Sequence, residues 1–191
     1  MKTALLSAYQ KTDALADFAR RLSERGWGLL ASAGTKKFLD EKGVESTDVA
    51  TLVGPPILGH RVVTLSREIH AGILARPEDE EELKRLSIRR IDLVFVDLYP
   101  LQEEIAKPGA TEASVIEKTD IGGPTLLRAA AKARRIVLSS ASQFQAALAY
   151  IDANIEDKKY LAGLAAEAES LVAEYARASA EFNKRLSQPN T

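Results

Sequence analysis

Short apolar runs alternate with segments of helical spacing along this chain, and that alternation limits its fold more than any other feature. Residues 3–7 (TALLS) form an apolar run ending at polar residues, which predicts a buried strand. Ala14, Leu15, Phe18, Ala19 and Leu22 then recur at helical spacing, and Gly26 closes that helix. Residues 28–32 (GLLAS) predict a second strand, followed by a helix through Leu39, and residues 48–53 a third strand. Residues 54–60 (GPPILGH) read as a loop, and 78–86 as a charged helix whose run EDEEE is a solvated face. Residues 91–96 (IDLVFV) are the clearest strand, and 135–140 (RIVLSS) the last. Strands separated by helices predict an α/β fold, doubly wound, with a mostly parallel sheet and helices on both faces. Residues 1–150 form that domain. From Ser142 the pattern turns helical, and residues 151–191 predict a helical arm packed on the domain or on a dimer partner.

Composition narrows the function classes. The 191 residues carry a net charge of −1, so no global field draws in nucleic acid or a membrane surface. There is no cysteine, which excludes disulfides, thiolate zinc sites and a cysteine nucleophile. The two histidines, His60 and His70, leave any metal site to carboxylates, and no clustered spacing offers one. The apolar run in MKTALLSAYQK is too short for a signal peptide, and no stretch approaches the roughly 20 apolar residues of a membrane span. A cytoplasmic protein is expected.

In an open parallel sheet, ligands bind beyond the carboxyl ends of the strands. There the chain places Ser7, Lys11 and Thr12 after the first strand, Ser32, Gly34 and Thr35 after the second, and Asp97, Leu98 and Tyr99 after the fourth. Hydroxyls, one ammonium and N–H groups at helix starts suit a phosphate. Plain helix capping explains the same residues. Residues 120–132 (DIGGPTLLRAAAK) add an acid and two glycines at a helix entry, where backbone can approach a ligand closely. Asp120 is open between ligand and cap, Tyr99 between site residue and turn aromatic, and His70 reads as a packing residue. The residues alone stop at an α/β domain that binds a phosphorylated small molecule.

Five segments match one family in order and spacing: SAYQKT, ASAGTKKFL, HAGILAR, DLYPL with KPGAT, and DIGGPTLLRAAAK; KKYLAG matches the start of its closing helix. The chain thus resembles the IMP cyclohydrolase domain of the bifunctional purine-biosynthesis enzyme, here as a stand-alone module. The resemblance implies a methylglyoxal-synthase-like fold, a homodimer, a purine ribonucleotide as ligand, and no cofactor. It implies ring closure of 5-formamidoimidazole-4-carboxamide ribonucleotide to inosine monophosphate with loss of water. By the family pattern, Ser7, Lys11, Thr12, Ser32, Gly34 and Thr35 hold the phosphate, and Arg61 and Thr64 lie beside the ligand; Arg67, where the family has proline, is a further substrate-binding candidate. Asp97, Leu98, Ile121 and Gly122 border the base, and Tyr99, Asp120 and Lys132 take part in the reaction.

The departures gather at the reacting centre. Where the family reads RVKTLHP, this chain reads RVVTLSR, so Val63 stands at the family's lysine and Ser66-Arg67 at its His–Pro. Valine neither donates to an oxyanion nor carries a proton; Arg67 is the candidate substitute cation. Tyr9 replaces a serine, Ala33 a glycine and Asp97 an asparagine, and Ala133-Arg134 replace the family's Asn–His. A non-catalytic nucleotide-binding module, or the partner of a separate formyltransferase, is therefore the second expectation. A methylglyoxal synthase ranks third, because the purine-type segments are present.

Overall fold

The structure, a computed structural model, describes residues 1–59 and 61–188. His60 lies outside the described residues. The chain opens β1 (Thr3–Ala8), α1 (Asp13–Glu24), β2 (Gly28–Ala31), α2 (Ala33–Glu41), β3 (Thr47–Asp48), α3 (Ala50–Val53), α4 (Arg67–Leu74) and α5 (Glu80–Arg85). It continues with β4 (Leu93–Asp97), α6 (Leu101–Ala106), α7 (Glu112–Glu117), α8 (Gly122–Lys132), β5 (Ile136–Leu138), α9 (Phe144–Ala153) and α10 (Lys158–Leu186).

The five strands form one parallel sheet in the order β3-β2-β1-β4-β5. From β1 the chain winds one way to β3, and from β4 the other way to β5. The β1–β4 seam is therefore the switch point where such sheets open a crevice. Layers on both faces explain why the strands are continuously apolar: Ala4, Leu5 and Leu6 of β1 and Leu93, Val94 and Val96 of β4 are buried. On one face α1 meets α9, with Phe18 stacked on Phe144 at 4.2 Å. On the other, α4, α8 and α10 pack together.

Three expectations change. Residues 48–53 are not a strand: β3 ends at Asp48, whose Oδ1 accepts the Ala50 N–H at 2.8 Å and turns the chain into α3. Arg67, expected in a loop, instead opens a helix over residues 67–74. Ser66 caps it by accepting the Ile69 N–H at 3.1 Å, and Ile69, Gly72 and Ile73 bury one face. The joint before the arm falls later than residue 150, because α9 continues to Ala153 and ends at Asn154 in the left-handed region.

The arm packs on its own domain, through α8, β5 and α6. Leu164, Ala165, Ala168 and Tyr175 face inward, and Arg128 of α8 pairs with Glu169 at 2.6 Å. Among the described residues no helix is long and apolar enough to cross a membrane.

Candidate functional site

Two helix starts meet at the switch point, and they are finished differently. At α1, Thr12 accepts the Leu15 N–H at 3.3 Å, an ordinary cap. At α2, Ser32 occupies the N-cap position but makes no side-chain cap bond. Its hydroxyl instead accepts from Ser7 at 3.3 Å and donates to Thr35 at 3.1 Å. Thr35, fully buried, accepts the Ala8 N–H at 3.0 Å and so ties α2 to the end of β1. The first amides of α2 therefore have no cap from Ser32, and the helix dipole favours an anion there. Lys11 reaches the same place. A Cβ on Gly34 would lie 3.9 Å from its Nζ, which donates to the carbonyls of Ala8 and Tyr9. Burial lowers the Lys11 pKa and nearby Asp97 opposes that shift.

Asp97 closes the seam from the β4 side. Its carboxylate accepts the Gln10 N–H at 2.6 Å, and its carbonyl accepts the Tyr9 N–H at 3.1 Å. Two residues on, Tyr99 meets Tyr9 edge to face, ring centroids 5.3 Å apart. Both rings are part-exposed and face a cation: Lys118 Nζ lies 5.6 Å from each centroid.

Asp120 sits against α8. Its Oδ1 accepts the Gly123 N–H at 2.9 Å, and the Gly122 and Tyr99 amides also reach it. Burial raises its pKa despite these three donors. Both glycines are required by contact rather than by φ. A Cβ on Gly123 would lie 2.5 Å from Asp120 Oδ2 and 2.6 Å from Leu98 Cδ2, and one on Gly122 would lie 2.9 Å from Thr64 Oγ1. Leu98 and buried Thr64 therefore pack against these glycines, while Ile121 beside them is exposed. Burial, then Asp120, raises the Tyr99 pKa, so its phenol stays a neutral donor at neutral pH.

The family described as the MGS-like domain matches residues 14–125. The chain belongs to that family. The bifunctional purine biosynthesis protein PurH of Thermosynechococcus vestitus is 44% identical over 201 residues, covering 100% of this chain and 38% of that protein. PurH of Trichodesmium erythraeum is 51% identical over 136 residues, 69% of this chain and 26% of that protein. The chain thus spans well under half the length of these curated relatives. A solved structure titled "Crystal structure of ForH" aligns with a TM-score of 0.87 and 32% identity, over 99% of this chain and 100% of that one. The likeness is to the IMP cyclohydrolase-like MGS domain of PurH, as the sequence motifs indicate.

In this MGS-like domain the fold gathers Ser7, Lys11, Ser32, Gly34 and Thr35 at one end of the seam. It gathers Thr64, Asp97, Leu98, Tyr99, Asp120 and Gly122 beside them. Three expected site residues stand apart. Arg61 is exposed and donates to the Leu58 carbonyl at 2.8 Å. Arg67 opens α4, 76% exposed, against Glu68 at 3.2 Å, and does not fill the space of the lost lysine; Val63 packs on the core. Lys132 ends α8, eleven residues long, at the opposite end from Asp120. A rise of about 1.5 Å per residue puts it about 15 Å from Gly122. Within one chain it is not part of this group.

Lys118 and Tyr175 carry no site signal in the sequence. Lys118 precedes the DIGG motif by two residues in a stretch without periodicity, and only folding brings it over the two tyrosines. Tyr175 reads as one more apolar position of the arm, and nothing local shows that its hydroxyl reaches residue 120. His70 is half satisfied: Nδ1 lies 2.9 Å from the Ser66 carbonyl, and Nε2 has no hydrogen-bond partner among the described residues. Among the described residues no three His, Asp or Glu side chains gather as a metal site would need.

Proposed function

We propose that this domain is an IMP cyclohydrolase, closing 5-formamidoimidazole-4-carboxamide ribonucleotide to inosine monophosphate and water in cytoplasmic purine biosynthesis. The observation that carries the reading is Asp120. It is a buried carboxyl of raised pKa, held by three amides beside a neutral phenol, and it lies one seam away from an uncapped helix start. In this reading the α2 amides, Ser7, Ser32 and Lys11 hold the phosphate.

The carboxamide nitrogen attacks the formyl carbon, and Asp120 takes the proton that nitrogen loses. Tyr99 donates to the developing oxyanion, with the Lys118 ammonium stabilising its charge. Asp120 returns that proton to the oxyanion, and the carbinol hydroxyl then leaves as water, taking the proton that the former formamido nitrogen gives up as it forms the C=N bond. Reactant and products balance, and no cofactor enters. Lys118 takes the place of a cation that Val63 does not supply, and Lys132 is left out of the scheme. A homodimer fits the resemblance.

Turnover tests the reading. Purified chain mixed with the formamido substrate should form inosine monophosphate, followed by absorbance, well above a no-enzyme control. Val63 favours a second reading, a nucleotide-binding module or the partner subunit of a separate formyltransferase. No product, together with a ligand-raised melting temperature, would decide for it.

A further inference from the structure

Where α4 and α8 end and β4 and β5 are about to begin, at the other end of the sheet, the domain holds a cavity of about 600 Å3. Six cations line it, Arg76, Arg90, Lys132, Arg134, Arg135 and Lys158, against one carboxylate, Glu156. Leu74, Pro77 and Leu161 supply apolar wall. Two of the cations are neutralised nearby: Arg76 by Glu78 and Asp79 at 3.3 and 3.4 Å, Arg90 by Asp92 at 3.2 Å. The rest are not. Arg135 is 7% exposed and donates to the Ile73 and Ala75 carbonyls, which carry no charge. The side chains of Lys132, Arg134 and Lys158 make no ion pair or hydrogen bond among the described residues.

Backbone conformation adds a second observation. Arg134 has φ +53°, one residue past the C-cap of α8. That position ordinarily takes glycine or asparagine, and a long side chain there costs conformational energy. The strain places one more cation at a hollow already crowded with like charge. Burial, then the like charge of Arg90, lowers the Arg135 pKa, and nearby Asp92 opposes the shift. Uncompensated cations around a hollow repel one another, and a multivalent anion cancels that repulsion.

We propose that this cavity binds an oligophosphate anion, the triphosphate group of a nucleotide. Guanidinium and ammonium groups both suit phosphate oxygens, and several unpaired cations match several phosphate charges. The volume is within the range of small-molecule sites, and the apolar wall suits a nucleoside. The length of α8 separates the cavity from Asp120, so the site is distinct from the one at the switch point.

Isothermal titration calorimetry of the full chain tests this with inorganic tripolyphosphate and with adenosine triphosphate, each in the presence of excess inosine monophosphate. One equivalent of tripolyphosphate should bind, more weakly as salt is raised. Arg134→Gly combined with Lys158→Ala should weaken binding by about tenfold or more. Glycine accepts the positive φ, so this variant keeps the fold, which its melting temperature checks. Tighter binding of the nucleotide supports the triphosphate of a nucleotide, and equal binding supports the phosphate chain alone as the determinant. No binding at millimolar ligand, displacement by inosine monophosphate, or unchanged binding in the double variant overturns the proposal. Failure of turnover at the switch-point site would leave this readout untouched.

Discussion

The Tyr175 hydroxyl accepts the backbone N–H of Asp120 at 2.8 Å. It also donates to the Lys118 carbonyl at 2.9 Å, so one side chain of α10 fixes the backbone of two residues of the candidate site. The phenol is buried with Leu101 and Val115, and burial pushes its pKa up to about 12. The arm is therefore part of the site's support. Tyr175→Phe leaves that amide and that carbonyl without their partner. It should cost about 1–3 kcal/mol in urea unfolding. By displacing Asp120 it should lower kcat about ten- to a hundredfold. Loss of stability with unchanged kcat would confine Tyr175 to a packing role.

Gly123→Ala tests the closeness of α8 to its carboxylate. A methyl group 2.5 Å from Asp120 Oδ2 and 2.6 Å from Leu98 Cδ2 must push both of them away. The expected cost is about 1–3 kcal/mol, with turnover reduced more than nucleotide binding. Thermal unfolding and steady-state kinetics measure the two effects.

The raised pKa of Asp120 gives a pH dependence with a definite sign. The folded state holds this proton to higher pH than the unfolded chain. Its stabilising contribution is complete below the ordinary aspartate pKa of about 3.9 and is lost as pH climbs through the raised folded value. The proposed reaction needs the ionised form, so kcat/KM should rise with pH over a limb displaced above the usual aspartate range. Asp120→Asn should remove that limb with most of the turnover, and an unshifted limb in the variant would sink the assignment.

Lys118 and Val63 form a complementary pair of tests. Lys118→Met keeps an unbranched side chain but removes the charge over Tyr9 and Tyr99. Loss of one oxyanion-stabilising group should lower kcat about 10²–10³-fold. Val63→Lys in that background should recover part of the loss. Full activity of Lys118→Met alone would exclude Lys118 from the reaction.

The two helix starts should respond differently. Thr12→Ala removes a cap bond and should cost about 1 kcal/mol of stability. Ser32 caps nothing, so Ser32→Ala should act chiefly on the ligand, raising KM about tenfold through one lost bond to a charged phosphate. Unfolding midpoints and KM values compare them directly.

Local signals carried most of the frame. Strands buried on both faces must be continuously apolar, so TALLS and IDLVFV were readable as they stand, and Ser7, Asp97 and Asp120 followed from their places at strand ends and a helix entry. The glycines of DIGG marked a close approach, though only the packing named Leu98, Thr64 and Asp120 as what they approach. Residues 48–53 misled because a short apolar run does not distinguish a strand from a helix until the Asp48 side chain takes the Ala50 amide. Motif likeness carried Lys132 to the reacting centre, but a helix has two ends, and a straight α8 holds Lys132 at the far one. Capping chemistry alone left Thr12 and Ser32 alike; their hydrogen-bond partners tell them apart. Lys118 over two tyrosines and Tyr175 under Asp120 depend on contacts between segments 19 to 109 residues apart, set by how the sheet winds and where the arm docks. Residue order specifies which elements form and which polar groups end them. Which of those groups share a pocket is decided by packing, because burial, pKa and hydrogen-bond partner are properties of neighbours in space.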